Sequence, residues 1–376
     1  MDGLNDLIHK RLQKLEDLGL TRQLTTSEGL IDFSSNDYLG VNRNEQLQDK
    51  IRQAIMDSEP NSGSTGSRLL TGNSAAICEL EEQVAAFHKA ESALIFNSGY
   101  CANLGLFSTL GQRGVTILYD ELVHASIHDG IKLSKAQSIS FDHNDVEDLA
   151  NKLENVDGVA IVIVESIYSM DGDESPLKSI SNLCIKNGAT LIVDEAHAIG
   201  MYGEKGEGKV VELGLENDVQ IRLVTFGKAI GCHGAAVLCN DQTKRYLVNF
   251  SRSLIFTTSL PNHTILGVKT VYDMMSVGGV NKLKSSNLID SFKQLMKGVS
   301  GFSDKTSKSH IQAVIVPGNE AVLEVSAKLR ELGFDVRAIR FPSVKKGAER
   351  LRICLHEFNN EEEVLGLTSA LRTILL

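Results

Sequence analysis

Seven short runs of this chain are apolar nearly from end to end, and helical segments fall between several of them. They are SALIF (92–96), GVTILYD (114–120), SISFD (138–142), VAIVIVES (159–166), ATLIVDEA (189–196), IRLVTF (221–226) and GAAVLCN (234–240). A strand covered on both faces has no solvent side, so it loses the alternation of a half-exposed strand. Such runs, spaced by helical segments such as 175–187, predict an α/β fold with a mostly parallel central sheet. In open sheets of this kind ligands bind at the carboxyl ends of the strands, so the polar residues there carry the most weight.

The rest of the chain is organised around that block. Leu4, Leu7, Ile8, Leu12 and Leu15 keep helical spacing, which predicts an amphipathic helix over 3–18 ended by Gly19. Residues 1–36 are read as this helix and an arm, 37–262 as a large α/β domain, and 263–376 as a small α+β domain. The small domain comprises a helical stretch (262–298), strands in HIQAVIVPG, FDVRAIR and RLRICLH, and helices over 319–332 and 360–374. A net charge of −10 with no basic stripe argues against a general nucleic-acid binder. Cysteines 78, 101, 184, 232, 239 and 354 form no CxxC pair, which fits reduced thiols better than a disulfide framework or a zinc site. The N-terminus lacks a signal-peptide core and no apolar run approaches membrane length, so a cytoplasmic location is expected.

Five features stand at strand ends. In LVTFGKAIGCHGAAVLC (223–239) a single cation, Lys228, sits in a stretch that otherwise reads as buried, and Asp218 is the one acid within ten positions. A lysine buried without a partner is costly, so this amine needs a purpose. After SALIF, Asn97-Ser98-Gly99-Tyr100 turns into a helix whose free N–H groups and positive end suit a phosphate. In LVHASIHDG, His124 and His128 are four residues apart, but no third ligand stands nearby and HExxH is absent, which argues against zinc. In VESIYSMDGDESPL, Ser169 follows a buried strand and Asp171-Gly172 marks a turn. In ATLIVDEAHAIG, Asp194 ends an apolar strand and His197 follows three residues later.

That last segment spells DEAH, the box of a helicase-type ATPase. Such an enzyme needs GxxxxGK[ST] after an earlier strand. The nearest match, GEKGEGKV (203–210), comes after the box and has Val210 where the magnesium-binding hydroxyl belongs. Set aside the ATPase, and the pieces describe a pyridoxal 5'-phosphate site. Lys228 forms the Schiff base, Asp194 pairs with the protonated ring nitrogen, a histidine stacks on the ring, and the turn holds the phosphate.

The chain resembles the α-oxoamine synthases nearly end to end. The resemblance rests on FSSNDYLG (33–40), GSTGSRLLTGN (63–73), LVHAS (122–126), SMDGD (169–173), VDEAH (193–197), VTFGKA (224–229) and ERLRI (349–353). It implies a fold-type I pyridoxal phosphate transferase, aspartate aminotransferase-like, with Lys228, His124 and Asp194 catalytic. It also implies that Ser169 and His197 lie near the ring's phenolic oxygen. Thr225 and the Gly99-Tyr100 turn would hold cofactor and phosphate, and Thr257 or Thr258 of FTTSLP would reach the phosphate of a partner subunit in a homodimer. Arg22, Asn36, Arg340, Ser343 and Arg352 would face substrate, an arginine fork suiting an amino-acid carboxylate.

The implied reaction is a decarboxylative condensation of L-alanine with a pimeloyl thioester of coenzyme A or a carrier protein, in biotin synthesis. Other branches of the family use glycine with acetyl or succinyl thioesters, or serine with palmitoyl thioesters. A regulatory domain that only senses the cofactor is disfavoured by the intact Lys228, Asp194 and His124 set. Three departures from the family pattern stand out: VDEAH for VDDAH, FPSVKKGAERLR for a Pro-Thr-Val-Pro version, and Cys232-His233 where Val-Ser is frequent.

Overall fold

The computed structural model describes residues 3–58, 62–278 and 283–375. Its strands are, in chain order, β1 (Ile31–Asp32), β2 (Ser92–Phe96), β3 (Val115–Asp120), β4 (Gln137–Phe141), β5 (Val159–Glu165), β6 (Thr190–Asp194), β7 (Ile221–Thr225), β8 (Ala235–Cys239), β9 (Ile311–Ile315), β10 (Phe334–Asp335), β11 (Arg337–Ile339) and β12 (Arg350–Cys354). The chain divides into two units. The larger comprises Asn36–Ser169 and Asp173–Lys282, and the smaller Met1–Ser35, Met170–Gly172 and Leu283–Leu376.

In the larger unit one seven-stranded sheet runs in the order β2-β8-β7-β6-β5-β3-β4. Strands β4, β3, β5, β6 and β7 pair in parallel, and β8 alone runs antiparallel to both of its neighbours, β7 and β2. The seven apolar runs are thus the seven strands, and the sheet is mostly parallel as their pattern predicts. SISFD, the least apolar run, forms edge strand β4, where Gln137, Ser138 and Ser140 are exposed.

Successive side chains point to opposite faces of a strand. On one face Ile95, Val224 and Ala236 pack with Ile77, Leu80 and Val84 of helix Ala75–Phe87 and with Val268 and Val271 of helix Asn262–Ser276. On the other, Leu94, Phe96, Ile163, Ile192 and Leu223 pack with Ala102, Leu106 and Phe107 of helix Gly99–Leu110. Each fully buried side chain of this size contributes roughly 1.5–3 kcal/mol. The same parity assigns the polar residues that close the strands. Glu165, Asp194 and Thr225 are two residues beyond Ile163, Ile192 and Leu223, so they share the face that helix Gly99–Leu110 covers.

The helical stretch over 262–298 contains two helices, Asn262–Ser276 and Leu283–Met296; residues 279–282 lie outside the described residues.

The smaller unit holds an antiparallel sheet in the order β11-β12-β9 and a parallel pair, β1 with β10. Val314, Leu351, Ile353, Val322, Leu329 and Leu367 are in its core. Helix Gly3–Asp17 forms where the leucine spacing predicts it, yet buries no residue, and its apolar stripe is open, with Leu4 70%, Leu7 52% and Leu12 51% exposed. Among the described residues no helix is long and apolar enough to cross a membrane.

Candidate active site

Lys228 lies in the turn between β7 and β8. Phe226 N donates to Gly234 O (2.9 Å), Cys232 N to Phe226 O (2.7 Å) and Gly231 N to Lys228 O (2.8 Å), folding residues 226–234 into a compact loop. Gly231 adopts φ +62°, and a Cβ there would come within 2.6 Å of Val41 Cβ, so the loop closes only with glycine at that place. The loop brings Lys228 Nζ to 2.7 Å from His197 Nε2. His197 is itself 5% exposed, and its Nδ1 lies 2.7 Å from the hydroxyl of the fully buried Tyr38, which donates to Asn36 Oδ1 at 2.9 Å.

Asp194 ends β6 as a buried carboxylate with both oxygens occupied. Oδ1 accepts from Ala196 N at 3.0 Å and Oδ2 from Asn103 Nδ2 at 3.0 Å. Asn103 also donates to Ser126 Oγ at 3.1 Å. That hydroxyl lies 2.7 Å from His124 Nδ1, which further accepts from Ser126 N at 3.2 Å. With its Nδ1 lone pair engaged, His124 carries any single proton on Nε2. Burial holds the His124 imidazole below its usual pKa, with Asp194 opposing that shift and Lys228 adding to it. A neutral, flat ring therefore stands at the wall.

Across from these groups helix Gly99–Leu110 begins. Ser98 caps it, its Oγ accepting from Cys101 N at 3.1 Å, while the amides of Gly99 and Tyr100 fall in the unpaired first turn. A Cβ at Gly99 would come within 2.7 Å of Thr225 Cγ2. Thr225 Oγ1 donates to Ala196 O at 3.4 Å.

Together these residues enclose a cavity of about 240 Å³ walled by Asn36, Ser98, Gly99, Tyr100, Asn103, His124, Ser126, Glu165, Asp194, His197, Thr225, Lys228 and His233, among others. It is small for a ligand site, which suits a single-ring compound. Pyridoxal phosphate fits the donor set found there: an amine for its aldehyde, a doubly anchored carboxylate for its ring nitrogen, a flat neutral imidazole, and a glycine-opened helix start for its phosphate.

Of the residues singled out by sequence, Gly99, Tyr100, His124, Asp194, His197, Thr225, Lys228 and Asn36 come together on this wall. Ser169, Thr257 and Thr258 do not line it. Asn97 Nδ2 ties down the last two, donating to Thr257 Oγ1 at 3.3 Å and to Thr258 O at 2.8 Å. Arg22, Arg340 and Ser343 line a separate cleft of about 680 Å³ within the smaller unit. There Arg340 donates to Gly19 O and Thr21 O at 2.9 Å each, and Arg22 makes no side-chain hydrogen bond among the described residues. Arg352 is buried on β12 of the same unit, with its guanidinium 3.0 Å from Cys354 Sγ. Tyr38, Asn103, Ser126 and Glu165 were not legible as site residues. Glu165 carries the one signal that could have found it, a carboxylate closing an apolar strand, as Asp194 does. Of the departures, His233 lies on the wall. Glu195 lies away from it, buried, where Oε1 accepts from Val210 N at 2.9 Å and burial raises its carboxyl to about 7.

The family profile described as aminotransferase class I and II matches residues 28–366. The chain is similar to the 8-amino-7-oxononanoate synthase of Emericella nidulans, 39% identical over 396 residues that cover 98% of this chain and 95% of the relative. Among solved structures it is similar to serine palmitoyltransferase of Sphingomonas wittichii, at 29% identity and TM-score 0.89, covering 98% of this chain and 96% of that one. A serine palmitoyltransferase solved with pyridoxal phosphate gives 28% identity and TM-score 0.88 over the same shares.

Proposed function

The chain belongs to the aminotransferase class I and II family, and from that premise we propose that it condenses L-alanine with a pimeloyl thioester to form 8-amino-7-oxononanoate, carbon dioxide and free thiol. The observation that carries this is the pairing of the Lys228 amine with His197, 2.7 Å apart, in a cavity that also holds buried Asp194. Relatives named for this activity, at 35–39% identity over nearly the whole chain, supply the substrate class.

Pyridoxal phosphate is the cofactor, and when bound it supplies an electron sink for bond changes at the amino-acid Cα. Lys228 Nζ is the amine that holds it and then takes the Cα proton of alanine as general base. His197 Nε2 accepts a hydrogen bond from that amine and keeps it aimed into the cavity. Asp194, anchored by hydrogen bonds from Ala196 N and Asn103 Nδ2, would pair with the ring nitrogen. His124 covers the ring face, and the Gly99 and Tyr100 amides, with Thr225, hold the phosphate end. Ser169, which does not line the cavity, would be the family's counterpart for the phenolic oxygen. Asn36 serves the substrate side of the cavity, and Arg340, Ser343 and Arg352 are the substrate-side candidates of the smaller unit. Arg22, which lines the cleft of the smaller unit, is a further substrate-side candidate.

The enzyme works as a cytoplasmic homodimer in which Thr257 or Thr258 contributes to the partner's phosphate site. Leu69 (52% exposed), Leu70 (81%) and Phe256 (71%) flank the Ser67–Thr258 bridge and leave an apolar surface there for a second copy.

A second acylation, of serine with a palmitoyl thioester, is favoured by the TM-score of 0.89 to serine palmitoyltransferase. One experiment separates the two. Alanine, glycine or serine is mixed with pimeloyl, acetyl, succinyl or palmitoyl thioesters, and thiol release is followed. Alanine with pimeloyl should lead. A win by another pair of more than about tenfold, roughly 1.4 kcal/mol of transition-state preference, rejects the assignment.

A further inference from the structure

Glu165 closes β5, and its register partner is Asp194 at the close of β6. Paired residues of neighbouring parallel strands, about 4.8 Å apart, face the same way, so two carboxyl groups reach the cavity side by side. Both are buried, Glu165 at 3% and Asp194 at 5% exposure.

Their partners differ. Asp194 accepts a hydrogen bond at each oxygen. The Glu165 carboxyl has its Oε1 buried without a hydrogen-bond partner. A buried carboxylate is satisfied by several donors, whereas a buried carboxylic acid needs an acceptor for its own proton. Glu165 is one of the residues that wall this cavity, so a ligand filling it can bring such an acceptor to the carboxyl group.

The charges nearby agree. The cation of the cavity, Lys228, sits against His197. His143, the other cation close by, is occupied by Asp120 and Asp173 at 2.9 and 2.7 Å. Burial raises the Glu165 carboxyl well above the ordinary carboxylate range, and the Asp194 charge adds to the rise, with Lys228 pulling the other way. Two carboxyl groups so placed do not both ionise readily.

We propose that Glu165 stands in this cavity as an uncharged carboxylic acid, leaving Asp194 as its single carboxylate and offering the Glu165 hydroxyl as a hydrogen-bond donor to a polar atom of the bound cofactor. This rests on the cavity being the cofactor site. The two acids then divide the work: Asp194 acts through its charge, Glu165 through a neutral donor.

Glu165→Gln keeps shape, neutrality and a donor, while Glu165→Ala removes all but neutrality. In the apo protein at neutral pH, the infrared difference between wild type and Glu165→Gln should contain the carbonyl stretch of a protonated carboxyl that shifts in heavy water. In pyridoxal phosphate titrations Glu165→Gln should bind within about threefold of wild type and Glu165→Ala about tenfold more weakly. Carboxylate bands alone in the difference spectrum, or a Glu165→Gln protein as weak as Glu165→Ala, would overturn the proposal. Thermal melts check folding, and if Glu165→Ala does not fold the infrared result decides. Neither readout uses alanine or a thioester, so loss of the proposed turnover with both intact counts against the reaction and not against Glu165.

Discussion

Lys228 Nζ and His197 Nε2 stand 2.7 Å apart, and behind His197 the contacts continue through Tyr38 to Asn36. A phenol has one proton. With it given to Asn36 Oδ1, the Tyr38 oxygen accepts from His197 Nδ1–H, which leaves Nε2 as the acceptor facing the lysine. The amine is thus positioned by a buried phenol that never touches it.

Tyr38→Phe removes the oxygen that meets His197 Nδ1 and so breaks this chain of contacts. We expect a loss of stability on the order of 1–3 kcal/mol and a fall in kcat/KM of about tenfold. The loss should shrink when His197 is already Phe, because the pair acts as a unit. Urea melts and steady-state rates on the four proteins of that cycle make the check; equal losses in both backgrounds would reject the coupling.

Asn103 joins Asp194 to His124, donating to Asp194 Oδ2 and to Ser126 Oγ, whose hydroxyl meets His124 Nδ1. Asn103→Ala should weaken pyridoxal phosphate binding by about tenfold, because Asp194 keeps a single donor, from Ala196 N. Equilibrium dialysis against the cofactor measures this. Binding unchanged from wild type would show that Ala196 alone holds the carboxylate.

The sheet was legible because burial on both faces writes itself into composition: VAIVIV and TLIV show no polar/apolar alternation beyond a single threonine. Strand order was not, since nothing local says that β8 inserts between β2 and β7 or runs against them. In the site, Lys228 and Asp194 were visible as lone charges in apolar runs. Tyr38 and Asn103 were not, because each looks ordinary in its own segment. Their partners lie 159 and 91 residues away, and only the closed sheet brings them together. Glu165 obeys the same rule as Asp194, a carboxylate that closes an apolar strand.

His143 is held between Asp120 and Asp173. Burial alone would lower its pKa, but the hydrogen bonds to both carboxylates raise it from 6.5 to about 10. A group raised in the folded state stabilises fully below its unfolded pKa and loses that contribution as pH climbs through the folded value. His143→Gln should therefore destabilise the protein most near about pH 6, and the gap from wild type should narrow steadily toward pH 10. Urea unfolding at four pH values reads this directly. A gap that widened with pH would mean the imidazolium is not what the two aspartates hold.

Gly99 offers the sharpest steric test. It opens helix Gly99–Leu110, where alanine would favour the helix by roughly 0.5–1 kcal/mol, yet its Cβ would meet Thr225 Cγ2 at 2.7 Å. Either the helix start or Thr225 must shift, and both belong to the wall where the phosphate end is proposed to sit. Gly99→Ala should leave the melting temperature close to wild type while weakening pyridoxal phosphate binding by about tenfold, since displaced amides no longer converge on the anion. Thr225→Ser removes the offending methyl and keeps the hydroxyl that bonds Ala196 O. The double substitution should therefore recover most of the lost affinity, whereas Thr225→Ser alone should change little. Cofactor titrations on the three variants decide it: a double variant no better than Gly99→Ala would place the defect in the backbone at residue 99 rather than in contact with Thr225.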